Sequence, residues 1–178
     1  MPYNDRPDFW SRFEDCQAYQ AISGYGHKEM DYMYWDSHTK VLYLIEESGL
    51  VHGEKDLSDD FQLEKELFEV VFKAYSGFLM LYSSLTGQST AMNSLSSCLP
   101  NAFKRSSSSW GTFKVKLYFI YTLPADKSIL LAFSAFKDKA DKKLETLKRC
   151  FDVITSCTLM DKYSAKQSLP QGLVPTDS

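Results

Sequence analysis

Three carboxylates stand at the ends of two runs rich in aromatic and branched residues. Asp31 lies near the start of the first run, and Glu46 and Glu47 directly follow the second, which covers 41–45. The residues between the runs, 36–40, are small and polar and favour a turn. In an antiparallel hairpin Asp31 meets Glu46 or Glu47, and a one-residue register decides between them. Carboxylate oxygens that meet in this way suit Mg²⁺ or Mn²⁺.

The segment 30–48 resembles the core of the PD-(D/E)xK nuclease-like proteins. In that family an Asp on one strand is followed, after a hairpin, by an apolar strand that ends in Glu-x-Lys. The resemblance covers roughly residues 8–85 of this chain. It implies that Asp31 and Glu46, or the neighbouring Glu47, bind one or two divalent metal ions. Glu14 matches an additional acidic ligand that some members supply.

The lysine of the family motif is missing, because Ser48 stands two residues after Glu46. Some members recruit a lysine from the following helix, and the resemblance then implies a catalytic role for Lys65 or Lys73. That lysine positions or activates water for attack on a phosphodiester. Other members have lost catalysis. The function implied is a metal-dependent nuclease-like protein acting on DNA or RNA, with the survival of catalysis left open.

Charge is divided unevenly along the chain. Residues 1–100 contain 7 Lys or Arg against 16 Asp or Glu, whereas residues 101–178 contain 13 against 7. An acidic site beside a basic surface fits an enzyme that binds both a metal ion and nucleic acid. The candidate phosphate contacts in the basic part are Lys104, Arg105, Lys114 and Lys116. The alternative is a non-catalytic interaction module, whose acidic N-terminal half binds a protein partner.

The composition predicts one domain over 1–163, followed by a flexible tail over 164–178. With 178 residues, of which 44% are hydrophobic and 24% charged, the chain is neither disordered nor fibrous. No apolar stretch reaches the length of a membrane span, and the N-terminus does not resemble a signal peptide. We therefore expect a cytoplasmic location without membrane contact, and four reduced cysteines.

The pattern of apolar residues predicts an α/β (α+β) fold with a central mixed sheet of about five strands flanked by helices. The expected helices are 8–21, a helix from 61 that stops at Gly77, a short helix near 91–98, and 137–156. The expected strands are 29–35 with 41–46 as one hairpin, 78–82, and 114–122 with 129–136 as a second hairpin. The predicted core residues are Phe13, Leu42, Leu44, Leu67, Val71, Leu117, Phe119, Leu131, Leu147 and Phe151.

Overall fold

A computed structural model describes residues 8–25, 29–49, 59–86, 93–106, 109–123, 127–170 and 173. Over these residues the chain has an α+β fold with a five-stranded mixed sheet, which confirms the predicted fold class. The strands are β1 (Trp10–Ser11), β2 (Tyr32–Asp36), β3 (Val41–Gly49), β4 (Lys114–Thr122) and β5 (Ile154–Asp161). The helices are α1 (Gln17–Gln20), α2 (Asp60–Thr86), α3 (Asn101–Arg105), α4 (Lys127–Cys150) and α5 (Lys162–Ser168), with 3₁₀ turns at Ser23–Tyr25 and Asn93–Cys98.

The strands lie in the order in which they occur in the sequence. β1, β2 and β3 are antiparallel neighbours, whereas β3, β4 and β5 are parallel. Parallel neighbours need long crossover connections, and α2 and α4 lie within those connections. The carboxyl ends of β3, β4 and β5 therefore meet at one edge of the sheet, beside the helices that follow β3 and β4.

The main core lies on the sheet face covered by α2 and α4. Strand residues of alternate parity, such as Leu42, Leu44, Leu117 and Phe119, point towards these helices and are fully buried. The opposite face carries a smaller core of Val41, Tyr43, Ile45, Tyr118 and Ile120, covered by α5. Both faces of the central strands are therefore buried, as their nearly continuous apolar sequence predicted.

The N-terminal helix prediction is wrong, and the first part of the predicted tail is helical. Instead of a helix over 8–21, Trp10 and Ser11 pair with β2, and only Gln17–Gln20 is helical. Residues 10–11 form a strand despite their helical periodicity, because Trp10 packs against Tyr34 in the smaller core. Residues 164–168 of the predicted tail belong to α5, and Leu169 and Leu173 are buried, whereas 171–172 and 174–178 lie outside the described residues.

The remaining differences concern segments that were predicted as strands and are helical in the structure. The run 78–82 continues α2, and the run 129–136 forms the first part of α4, so the second hairpin does not exist. The last helix was predicted to extend to 156, but α4 ends at Cys150 and β5 begins at Ile154. Leu131, predicted as core, is 75% exposed because it lies on the outer face of α4, and Val71 and Phe151 are partly buried. The other predicted core residues are buried.

The prediction of four reduced cysteines is also wrong. Cys16 and Cys98, which are 82 residues apart in the sequence, form a disulfide with their Cα atoms 5.4 Å apart. Cys150 is exposed and Cys157 is buried, and both are free. Disulfides persist mainly in oxidising compartments, and the cytoplasmic location stays a prediction. Within the described ranges, no helix combines the length and the apolar character of a membrane span.

Candidate functional site

The register of the β2–β3 hairpin determines which acid faces Asp31. Tyr32 pairs with Ile45, so one further step along the hairpin brings Asp31 alongside Glu46 rather than Glu47. The main-chain N–H of Glu47 donates to Oδ2 of Asp31 at 2.8 Å, which fixes that carboxylate at the edge of the sheet. The sequence left Glu46 and Glu47 open, and the structure favours Glu46 as the partner of Asp31.

Glu46 is a buried carboxylate whose two oxygens differ in their contacts with the described residues. Its side chain is only 7% exposed, because residues of its parity on β3 face α2. Oε1 accepts a hydrogen bond from the Lys73 ammonium, and the two groups form an ion pair. Oε2 is buried and accepts no hydrogen bond from the described residues. A buried carboxylate oxygen without a donor is costly, so it calls for an explanation.

A glycine in α2 allows the Asp31 segment to approach Lys73. Gly77 lies one turn after Lys73, and a Cβ at position 77 would stand 3.0 Å from Cγ of Met30 and 3.7 Å from its main-chain nitrogen. Met30 is fully buried, so the chain just before Asp31 packs directly on the helix. Gly77 was predicted to end the helix. Its role is instead to permit this close contact inside a continuous helix.

Asp31, Glu46 and Lys73 form a cluster of charged groups that shift each other's pKa values. Burial raises the pKa of Glu46 to about 7, the charge of Asp31 adds to the rise, and the contact with Lys73 and a main-chain hydrogen bond from Asp31 oppose it. Burial lowers the pKa of Lys73, but the hydrogen bond and the charge of Glu46 outweigh burial, so this pKa is raised overall. Lys73 is therefore an ammonium throughout the neutral range. Glu46 changes its charge near neutral pH, and a nearby cation would favour its ionised form.

A cleft of about 220 Å³ opens between α2 and the carboxyl ends of β3 and β4. Glu46 and Lys73 line it together with Lys65, so both lysines proposed from the sequence border one cleft. Of the two, Lys73 contacts Glu46. Ser48, at the position of the family lysine, also lines the cleft and is hydrogen-bonded to Tyr121.

The other predicted metal ligands lie outside this cluster. Neighbouring side chains on a strand point to opposite faces, so Glu47 faces away from the side on which Glu46 meets α2. Glu14 is exposed and forms an ion pair with Arg12 just after β1. Among the described residues, no group of three or more His, Cys, Asp or Glu side chains converges as a complete metal site.

The four predicted phosphate contacts do not gather at the cleft. Lys104 donates to the Ser97 carbonyl oxygen, and Arg105 pairs with Asp8. Lys114 begins β4, five residues before the partner of Glu46, which corresponds to about 16 Å along the strand. Lys116 stacks over the Tyr43 ring, whose side chain belongs to the opposite face of the sheet.

The sequence analysis missed several polar residues near the site. Glu66 and Glu69 line the cleft from α2, and Tyr121 lines it from β4. The spacing of Glu66, Glu69 and Lys73 by three and four residues was a readable signal, since it places them on one side of a helix. The position of Tyr121 beside Ser48 depends on the parallel register of β3 and β4, for which the sequence carries no local signal.

The arrangement fits a cation that needs few protein ligands. Mg²⁺ is usually bound through one or two carboxylates, and water and substrate phosphate oxygens complete its octahedron. Asp31 and Glu46 provide two adjacent carboxylates, and one Glu46 oxygen is buried without a partner in the part of the chain that the structure describes. Comparison with protein-family models, curated proteins and solved structures finds no match to this chain.

Proposed function

We propose that this protein is a divalent-metal-dependent, nuclease-like protein that acts on phosphodiesters of DNA or RNA. Asp31 and Glu46 are the metal-binding carboxylates, and the metal is Mg²⁺ or Mn²⁺. Lys73 takes the role of the motif lysine, whose position is occupied by Ser48. The proposal keeps the resemblance to the PD-(D/E)xK proteins, in which a lysine from the following helix serves in some members.

The observation that carries the proposal is the Oε2 oxygen of Glu46, which is buried and has no hydrogen-bond partner among the described residues. A carboxylate that is buried, repelled by a neighbouring acid and lacking a donor on one oxygen is unfavourable for folding alone. A cation between Asp31 and Glu46 would satisfy that oxygen and relieve the repulsion. The contact between Lys73 and Glu46 supports the same conclusion, because the motif requires an ammonium group beside this carboxylate.

The residues in and beside the cleft have separable roles. Asp31 and Glu46 bind the cation, and Gly77 keeps the Asp31 segment against α2. Lys73 stays protonated because its pKa is raised, so it acts by donating hydrogen bonds to water or phosphate oxygen, not as a general base. When bound, the divalent ion supplies Lewis-acid stabilisation of the phosphoryl group and lowers the pKa of water.

The first experiment measures whether Mn²⁺ stabilises the protein through these acids. We expect Mn²⁺ to raise the melting temperature, because it binds the folded state only. Asp31→Ala combined with Glu46→Ala should abolish the rise and any cleavage of DNA or RNA. Glu14→Ala is the matched control, since this exposed acid lies outside the cluster, and its metal response should equal that of the wild type.

The second experiment separates the two lysines of the cleft. We expect Lys73→Ala to abolish cleavage while metal binding remains, and Lys65→Ala to reduce cleavage much less. Metal binding by the wild type without cleavage of any nucleic acid would identify a nuclease-like fold that has lost catalysis.

A different pair of results would replace the proposal by the alternative. If Mn²⁺ leaves the melting temperature unchanged and the double substitution at Asp31 and Glu46 stabilises the protein, the acids are not a metal site. The non-catalytic interaction module, with a protein partner for the acidic half of the chain, would then be the better explanation.

A further inference from the structure

Two exposed phenylalanines on α2 form a parallel stack beside the cleft. Phe68 is 65% exposed and Phe72 is 37% exposed, although both are large apolar side chains. Their ring centroids are 5.7 Å apart and their planes differ by only 8°. The pair therefore presents aromatic surface to solvent in a defined orientation, unlike a single exposed apolar residue, which is common on protein surfaces.

Helical geometry places this stack directly alongside the residues of the cleft. Residues four apart lie above each other on a helix, so Lys65, Glu69 and Lys73 form one row. Each residue of this row lines the cleft. Phe68 follows Lys65 by three residues and Phe72 follows Glu69 by three, a spacing at which side chains on a helix are neighbours. The stack therefore borders the part of the cleft that Lys65 and Glu69 line.

The opposite side of the stack borders a basic surface. Nζ of Lys139 on α4 lies 3.8 Å from Oε1 of Glu64, one turn before Phe68. The exposed side chains of Lys142 and Lys143 follow one turn later on α4, and residues 137–150 carry six Lys or Arg against three Asp or Glu. A path across α2 thus runs from lysines, over two aromatic rings, to the cleft with Glu46 and Lys73.

We propose that Phe68 and Phe72 are a stacking platform for unpaired bases, so that the substrate of the cleft is a single-stranded polynucleotide. Aromatic rings bind single strands because every base offers a π-face, whereas bases in a duplex are already stacked on each other. Lysines along the path contact the sugar–phosphate backbone. This inference rests on the proposed function, since it supplies the substrate class for the same cleft.

The test measures binding of labelled 12-nucleotide oligonucleotides by fluorescence anisotropy in EDTA, which separates binding from cleavage. The probes are oligo-dT, oligo-U, a duplex of the same length and an abasic oligonucleotide that keeps the phosphates. We expect either single strand to bind at least tenfold more tightly than the duplex or the abasic strand. The two single strands distinguish DNA from RNA as the source of the bases.

The variants distinguish stacking from general apolar contact. Phe68→Leu combined with Phe72→Leu keeps apolar surface but removes the rings, and we expect it to weaken single-strand binding at least tenfold without changing abasic binding. Leu79→Ala is the matched control, because Leu79 is exposed on α2 two turns beyond Phe72. It should bind like the wild type. Circular dichroism verifies that all variants fold.

Several outcomes would overturn the platform. The first is that the wild-type protein binds no single strand. The second is that it binds single strand and duplex equally tightly, and the third is that the double Leu variant binds single strands like the wild type. A concentration-dependent dimer in ultracentrifugation that disappears in Phe68→Ala with Phe72→Ala would show that the stack is a protein interface.

The proposed function can fail separately. A normal response to Mn²⁺ through Asp31 and Glu46 with unaffected Phe variants would reject only the platform. Ring-dependent binding without a metal response would reject only the metal-dependent activity.

Discussion

The Lys73–Glu46 pair and the Lys137–Asp141 pair both lie where a helix meets the sheet. In the second pair both carboxylate oxygens of Asp141 accept hydrogen bonds. Oδ2 accepts from Lys137, and Oδ1 accepts from the Thr158 hydroxyl at 2.8 Å and from the Leu159 main-chain N–H at 3.2 Å. These contacts join α4 to β5, a strand at the edge of the sheet, and cover one of its outward N–H groups.

The first pair differs in what its carboxylate leaves unused. Glu46 is more deeply buried than Asp141, yet one of its oxygens has no described donor. The satisfied pair fastens a helix to a strand, whereas we propose that the Glu46 carboxylate binds a further group. Counting donors on each oxygen distinguishes them, and residue type alone does not.

The largest expected difference between the pairs is in stability after loss of the lysine. Lys73→Met leaves the Glu46 carboxylate without its partner, and we expect the free energy of unfolding at pH 8 to fall by about 3 kcal/mol. Lys137→Met should cost less than about 1 kcal/mol, because this pair is partly exposed and Asp141 keeps Thr158 and Leu159. Urea unfolding measures both. Equal losses would contradict the distinction.

The pH dependence of stability provides the next largest effect. The pKa of Glu46 rises on folding from its ordinary 4.5 to about 7, so the folded chain binds more protons between these values. Its contribution is fully present below pH 4.5 and is lost as pH rises through 7, by about 2–3 kcal/mol. Glu46→Gln should lack this loss. Unfolding curves at pH 5 and pH 8 for both proteins test it, and parallel pH profiles would refute the assignment.

Binding of Mn²⁺ should depend on pH for the same reason. The ion binds the ionised carboxylate, and only about a tenth of Glu46 is ionised one pH unit below a pKa of 7. We expect Mn²⁺ to bind about tenfold more weakly at pH 6 than at pH 8, as measured by calorimetry, which corresponds to about 1.4 kcal/mol. An affinity that does not change with pH would place the ion elsewhere.

The smallest expected effect comes from the contact between α2 and the Asp31 segment. Gly77→Ala forces Met30 to move, at a cost that partly cancels the gain in helix propensity, and we expect a net loss of about 1 kcal/mol. Displacement of Asp31 should also weaken Mn²⁺ binding. Gly24→Ala is the control, because a Cβ there would meet nothing within 4 Å. Equal behaviour of the two variants would show that close packing at Gly77 does not position the site.

The hairpin that carries both acids was predictable because its apolar runs are short and its turn residues are distinctive. Its register was not, since the turn admits two alignments and only the packed sheet selects one. The lysine was predictable only as a choice of two. Lys65 and Lys73 are eight residues apart and lie on similar sides of α2, so only the height of the helix relative to β3 separates them.

The errors in the fold came from apolar runs that periodicity could not assign. Residues 129–136 resemble a strand by composition, but Phe133 and Phe136 continue the spacing of Ala140, Leu144 and Leu147 on the buried side of α4. Long helices that bury one side can include such runs. The disulfide was not predictable for a different reason, because pairing across 82 residues depends entirely on the tertiary structure.

The Cys16–Cys98 disulfide also determines how the chain responds to mechanical force. It closes a covalent loop of 82 residues that contains Asp31, Glu46 and Lys73. A pull on the two ends of the chain is transmitted through the bond and bypasses the loop. At about 3.3–3.6 Å per extended residue, the bond withholds roughly 270–300 Å of contour length until it is reduced. Under load the β4, α4 and β5 segments extend, while the acids and their lysine stay within one tethered ring.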